Sequence, residues 1–283
     1  MLIQITNNCD MGCPHCLQDS KVGQFHMTDE TFLNAIKFGK FINNYRYNIS
    51  GGEPTSHPRF KELIEMLISH LESERLKLNG ILGSIIPQRF PSFTIESNGS
   101  FIDDKELFYF LVKVLKNECM EYLQVCSIKG LYKNFELIKR NQSKIMGMHS
   151  VKAYVHTSGI ASMKDLGRAA NVDKYRKLAE NDEYYMSCLN CSLAAKQLID
   201  PKQFSSAMFA SDQTCKPFID WRGDVHLSES ITCPSVGNVN TDDFLDIWNG
   251  IRNFKPCGRC SGYRKFVNSN VPKIIAAKRI LGI

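Results

Sequence analysis

Three cysteines stand within eight residues, Cys9, Cys13 and Cys16, directly after a short apolar run from Leu2 to Thr6. Thiols this dense on one loop need either a metal to bind or a core to hide in. Three thiolates from a tight C-x3-C-x2-C loop can hold three irons of a 4Fe–4S cube and leave the fourth iron open, whereas a ferredoxin supplies four cysteines. Two plainer readings stand beside this one. A zinc knuckle favours four ligands, usually in paired C-x2-C units, and three incidental core thiols would not require this spacing. The spacing favours iron–sulfur ligation.

The rest of the composition narrows the setting. There are 11 cysteines among 283 residues, too sparse for a disulfide-stapled miniprotein and too many for a plain enzyme. Eleven is odd, so complete pairing within one chain is impossible, and clustered thiols in a reducing cytoplasm point to metal ligation. A hydrophobic share of 43% with 23% charged residues describes a globular chain with a sizeable core and excludes disorder. No stretch reaches the roughly eighteen apolar residues of a spanning helix. Met1 to Thr6 lacks the basic head and long apolar core of a secretory signal, so a cytoplasmic location without membrane contact is expected. Lys and Arg number 35 against 29 Asp and Glu, a surplus of +6 with no long basic run, which argues against a nucleic-acid footprint.

Apolar runs alternate with helical patterns through the first half. Strands are expected at Leu2–Thr6, Tyr45–Ile49, Ser92–Glu96, Tyr122–Ile128 and Val151–His156. Helices are expected from the Thr28 N-cap to Phe41, from Pro58 to about Leu76 with Leu63, Leu67 and Leu71 on one stripe, from Asp103 to about Lys116, and from Leu131 to about Arg140. Strands that alternate with helices and end in polar loops predict an α/β fold, with parallel strands and ligand sites at their carboxyl ends. The loops after the second and third strands are Ser50-Gly51-Gly52-Glu53-Pro54 and Ser97-Asn98-Gly99. Glycines let backbone approach a neighbour closely, and Glu53 offers an acceptor for an ammonium group.

Past Gly159 the pattern becomes irregular and six of the cysteines follow. Cys215 and Cys233 flank a hairpin turn at Gly223-Asp224. Gly237-Asn238-Val239-Asn240, a helix with Ile247-Trp248, and Cys257-Gly258-Arg259-Cys260 come next. Four thiolates suffice to close a metal site, and by first principles a zinc site and a 4Fe–4S cluster are equally served. The tail from Pro272 to Ile283 has Ile274, Ile275, Ile280 and Leu281 at the spacing of a docking helix.

The cysteine loop after the first strand and Gly51-Gly52-Glu53-Pro54 after the second together resemble the radical S-adenosylmethionine (SAM) superfamily. Ser97-Asn98-Gly99 looks like the family's Thr-Asn-Gly loop. Cys126-Ser127-Ile128-Lys129-Gly130 looks like its Ser-x-Asp-Gly element, with Lys129 in place of the acid. The second cysteine set resembles a Twitch domain, the shortened form of SPASM, and Gly167-Arg168-Ala169 resembles an element found between barrel and auxiliary domain. The resemblance implies a partial (β/α) barrel of five or six parallel strands over residues 1–170, a small cysteine-rich auxiliary domain over 171–265 and a docking helix over 266–283.

Two 4Fe–4S clusters and SAM are implied as cofactors. Cys9, Cys13 and Cys16 would hold the SAM-binding cluster, and Cys215, Cys233, Cys257 and Cys260 the auxiliary one. His15, Gly51, Gly52, Glu53, Pro54, Asn98, Ser127 and Arg168 would line the SAM site. For Asn98 and Ser127 simple turn chemistry is an equal reading. Cys119 and Cys126 read as packed small hydrophobes. Cys188 and Cys191 read as a hydrogen-atom donor, extra ligands, or neither.

The implied reaction is reductive cleavage of SAM to a 5′-deoxyadenosyl radical that abstracts a hydrogen atom, fed by an external donor such as flavodoxin or ferredoxin. The expected substrate is a ribosomally made peptide to be crosslinked, epimerised or oxidised. The first strand starts at the second residue, so no peptide-recognition helix is expected ahead of it, and a separate recognition protein would take that role. The alternative substrate is a small molecule such as a sugar or nucleotide. A zinc-stabilised nucleic-acid binder is the reading from another class.

Overall fold

The computed structural model describes residues 1–12, 18, 20–23, 25–42, 44–82, 91–128, 132–158, 217–227 and 234–253. Among the described residues seven strands form one sheet: β1 (Leu2–Gln4), β2 (Arg46–Ser50), β3 (Ser92–Ser97), β4 (Met120–Ile128), β5 (Ala153–Ser158), β6 (Phe218–Ile219) and β7 (Val225–His226). Their order is β5-β4-β3-β2-β1-β6-β7. β1 to β6 pair in parallel and only β7 runs against its neighbour. Five helices accompany them among the described residues: α1 (Asp29–Phe41), α2 (Phe60–Leu82), α3 (Lys105–Leu115), α4 (Phe135–Met146) and α5 (Phe244–Asn253).

Local chemistry accounts for the elements. β1 lies between two neighbours and is covered on both faces, so its residues are all buried, as a parallel strand in a layered fold requires. Thr28 caps α1 by accepting the Thr31 N–H at 3.1 Å, and Asp29 and Glu30 complement the helix dipole. Asp104 caps α3 in the same way through Leu107. That cap sits one residue past the expected start and fixes where the helix begins. α4 begins at Phe135, four residues later than the periodicity predicted, behind a turn in which the Phe135 N–H meets the Tyr132 carbonyl. The α2 stripe of Phe60, Leu63, Ile64, Leu67 and Leu71 is fully buried against the sheet.

The crossovers make one edge of the sheet chemically distinct. Strands β1 to β5 follow in sequence order and point the same way, so their carboxyl ends share one edge and the loops that follow them gather there. Of the segment expected to form a second unit, residues 217–227 and 234–253 are described. β6 pairs directly with β1, Leu2 opposite Phe218 and Ile3 opposite Ile219. Ile219, Val225, Val239, Ile247 and Ile251 join the same core as Ile3, Phe32 and Ile49. The hairpin turn falls where the sequence put it, with Gly223 at φ +92° and its N–H donating to the Asp220 carbonyl at 2.9 Å. Cys119 is fully buried in the core, and Cys126 is half-buried with its sulfur accepting from Gln124 Nε2 at 3.0 Å. No described helix is long and apolar enough to cross a membrane.

Candidate functional site

Three loops meet at the carboxyl ends of β1, β2 and β3, and backbone hydrogen bonds join the first two. The Gly52 N–H donates to the Thr6 carbonyl at 2.7 Å, and the Glu53 N–H to the Asn8 carbonyl at 2.8 Å. This approach is why both glycines are needed. A Cβ on Gly51 would lie 2.5 Å from the Thr6 oxygen, and one on Gly52 would lie 2.2 Å from the Asn8 oxygen and 2.9 Å from Cys9 Cβ. The neighbour these glycines admit is therefore the backbone of the cysteine loop. Ser56 closes the contact, its hydroxyl reaching the Glu53 and Asn8 carbonyls and accepting from Asn8 Nδ2 at 3.0 Å. Pro54 opens a buried turn over Pro54–Ser56 that sets Thr55 back toward Glu53.

Glu53 links the second loop to the third. The residue is 1% exposed. Oε1 accepts from Thr55 N at 3.1 Å, Thr55 Oγ1 at 2.6 Å and Ser97 Oγ at 2.9 Å, and Oε2 accepts from Asn98 N at 2.7 Å. All of these donors are neutral. Burial pushes the carboxyl above its ordinary value, and the four hydrogen bonds pull it down without overcoming that effect. Oε2, with a single donor, is the oxygen with accepting capacity left.

Asn98 makes the turn that its sequence context allowed and also reaches the loop after β1. Its Oδ1 accepts from the Ser100 N–H at 2.8 Å, an Asx turn. Its Nδ2 faces Asp10 Oδ1 at 3.0 Å and the Cys9 sulfur at 3.7 Å. Cys9 is buried, forms no disulfide, and also takes the Met11 N–H at 3.5 Å. N–H donors placed around a sulfur in this way can hydrogen-bond it when it ligates a metal. Gly99 stands at φ +85°, and a Cβ there would lie 2.4 Å from Ile138 Cδ1. Ser127 is wholly buried at the end of β4, and its hydroxyl has no hydrogen-bond partner among the described residues. An orphaned buried hydroxyl is costly unless something else satisfies it.

The structure thus brings together Cys9, Gly51, Gly52, Glu53, Pro54 and Asn98. Cys13, His15, Cys16, Arg168, Cys188, Cys191, Cys215, Cys233, Cys257 and Cys260 lie outside the described residues. Sequence reasoning missed Asn8, Asp10, Thr55, Ser56 and Asn134. The last of these donates its amide to the Asn98 carbonyl at 2.8 Å. Thr55 and Ser56 directly follow the Gly-Gly-Glu-Pro motif, and that adjacency was the available signal. Asp220, Asp224 and His226 also place ligand atoms within 4.8 Å of one another. There Arg222 already neutralises both carboxylates, at 2.8 Å and 3.3 Å.

Residues 3–125 match the sequence model of the radical SAM superfamily. Over this stretch the chain carries the sequence pattern of radical SAM enzymes. No curated protein matches the chain in sequence. Among solved structures the fold is similar to BtrN in complex with AdoMet and 2-DOIA, at 12% identity and TM-score 0.52, covering 93% of this chain and 84% of BtrN. It is similar also to native anSMEcpe with bound AdoMet and Cp18Cys peptide, at 12% identity and TM-score 0.51, covering 99% and 98%. SuiB of Streptococcus suis bound to the precursor peptide SuiA follows at 15% identity and TM-score 0.49, covering 94% and 70%. At these identities the likeness is one of fold.

Two predictions follow from the loop geometry. Gly52→Ala forces a methyl into the Asn8 carbonyl and is expected to cost about 2–3 kcal/mol in urea unfolding of the cluster-free protein. Gly12→Ala, at φ +58° with open space around it, is expected to cost about 1 kcal/mol from backbone conformation alone. Equal losses would refute the packing argument. For Glu53 the folded state holds its proton more tightly than the unfolded chain. Wild type should therefore lose stability relative to Glu53→Gln as pH rises from 4.5 through the raised folded value, and a pH-independent difference in urea midpoint would count against it.

Proposed function

We propose that this radical SAM enzyme acts on a ribosomally made peptide and carries an auxiliary iron–sulfur cluster beside the SAM-binding one. The domain organisation proposed is a partial barrel over 1–170, a Twitch-like unit over 171–265 and a docking helix over 266–283. A reducing cytoplasmic setting suits its 11 cysteines.

The observation that carries the site reading is that Cys9, Glu53 and Asn98 share one hydrogen-bonded cradle at the carboxyl ends of three adjacent parallel strands. The donor set fits the cofactors the family implies: a buried sulfur surrounded by N–H groups, a buried carboxylate with no described cationic partner, and an orphaned buried hydroxyl at Ser127. Cys9, Cys13 and Cys16 would hold the cluster, and Glu53 Oε2 would receive the ammonium group of SAM. Gly51, Gly52, Pro54, Asn98, Ser127, His15 and Arg168 would shape the same site. When bound, the cluster supplies the electron for reductive cleavage of SAM to a 5′-deoxyadenosyl radical, which takes a hydrogen atom from the substrate. The chain's own part is to orient and to exclude water, which the buried Glu53–Ser97–Asn98 bonding serves.

The peptide reading draws support from anSMEcpe, which carries a bound peptide and matches over 98% of its own length. BtrN, with 2-DOIA bound, is as similar in fold and favours a small molecule as the second reading. Cys215, Cys233, Cys257 and Cys260 would close the auxiliary cluster. Such a fully thiolate-ligated cluster suits electron transfer, with flavodoxin or ferredoxin as external donor and a separate recognition protein presenting the peptide. Cys188 and Cys191 are proposed to face the substrate as a hydrogen donor or as extra ligands.

Anaerobically reconstituted protein is expected to hold roughly eight irons per chain. Cys9→Ala should lose about half the iron and abolish deoxyadenosine formation. Cys215→Ala should keep part of SAM cleavage but impair product formation, and full product formation by that variant would refute the auxiliary cluster. Deuterated peptide and deuterated aminosugar, offered separately, are expected to label deoxyadenosine only from the peptide. Label from the sugar alone would select the second reading.

A further inference from the structure

We propose that Asn98 is a positioning residue that sets the reduction potential of the cluster bound through Cys9, by donating an N–H to the Cys9 sulfur. The inference rests on the reading of Cys9 as a cluster ligand. The orientation of the amide is fixed. The Ser100 backbone N–H can only donate, so the atom it meets at 2.8 Å is Oδ1, and the other end of the side chain is the NH2. That NH2 has two hydrogens and, among the described residues, two acceptors in reach: Asp10 Oδ1 at 3.0 Å and Cys9 Sγ at 3.7 Å. One hydrogen serves each, and the amide is thereby fully used.

The rest of Asn98 holds this geometry. Its backbone N–H is tied to Glu53 Oε2 at 2.7 Å, its carbonyl accepts from Asn134 Nδ2 at 2.8 Å, and the residue is buried. Asp10 is exposed, and the Ser100 hydroxyl lies between its second oxygen at 2.8 Å and Asn98 Oδ1 at 2.6 Å, its one proton shared between them, so the amide is braced on both sides. A hydrogen bond to a ligating sulfur withdraws electron density from the metal and stabilises the reduced, more negative state. The Met11 N–H at 3.5 Å does the same from the backbone, where side-chain substitutions other than proline leave it in place, so Asn98 is the side-chain donor to test.

The test is an EPR-monitored redox titration of reconstituted protein that follows the signal shifted by added SAM. Asn98→Ala removes the donor, and Asn98→Asp keeps the Oδ1 acceptor of the Asx turn while removing the donor. Both are expected to move the midpoint to more negative potential. The expected ratio of reduced to oxidised cluster is about threefold to tenfold lower at a fixed potential, tenfold being about 59 mV for a one-electron couple. An unchanged midpoint with iron content retained would overturn the proposal. If neither variant assembles the cluster, wild type labelled with side-chain 15N-asparagine decides. A resolved nitrogen coupling to the SAM-responsive cluster is expected, and its absence overturns the proposal. A Cys9→Ala variant that kept the SAM-responsive signal would instead overturn the ligand reading itself.

Discussion

The buried carboxylate of Glu53 is the point on which the site's geometry depends. It belongs to the loop after β2, yet two of its four donors, the Ser97 hydroxyl and the Asn98 N–H, come from the loop after β3. Through its own N–H, held by the Asn8 carbonyl, it also secures the loop after β1. One residue therefore fixes the relative positions of three loops that a parallel sheet brings to a common edge but does not itself order. The cost is a charge taken out of water with only neutral partners, which is why its proton affinity rises. A carboxylate kept under that strain has most to gain from a cationic ligand, the role proposed above for the ammonium group of SAM.

Glycine makes this arrangement possible at a second level. The loops after β1 and β2 approach until the Gly52 α-carbon faces the Asn8 carbonyl with no space for a methyl group. In the sequence, Gly51-Gly52 reads as freedom to approach a ligand. In the structure that freedom is first used to seat the second loop against the cysteine loop, so the motif acts through the residue it positions, Glu53. Such an effect transmits any disturbance of Gly52 to Cys9, whose Cβ lies next in line at 2.9 Å from the same point.

What the sequence made legible follows from how local each signal was. The five parallel strands, the α1 cap at Thr28, the α2 stripe and the turn at Gly223 were readable because each depends on residues within a few positions. The α4 start was misplaced by four residues because a turn at Tyr132 intervenes where periodicity alone continues. The pairing of β6 with β1 was not readable. It joins residues more than two hundred positions apart through strands of two and three residues, too short to carry a pattern. Asn98 illustrates the middle case. Its Asx turn is a local property and was anticipated, whereas its contact with Cys9 spans 89 positions and emerges only once β1, β2 and β3 are laid side by side.

The same contact explains why the third loop cannot be a mere turn. A Ser or Asp at position 98 could close an Asx-type turn on Ser100 equally well. Neither offers a second face that donates while the first accepts. Only an amide side chain of this length presents an acceptor to Ser100 and an NH2 to Asp10 and Cys9 at once. The chemistry that orders the loop and the chemistry that reaches the sulfur are thus two ends of one side chain, and Glu53 holds the backbone between them.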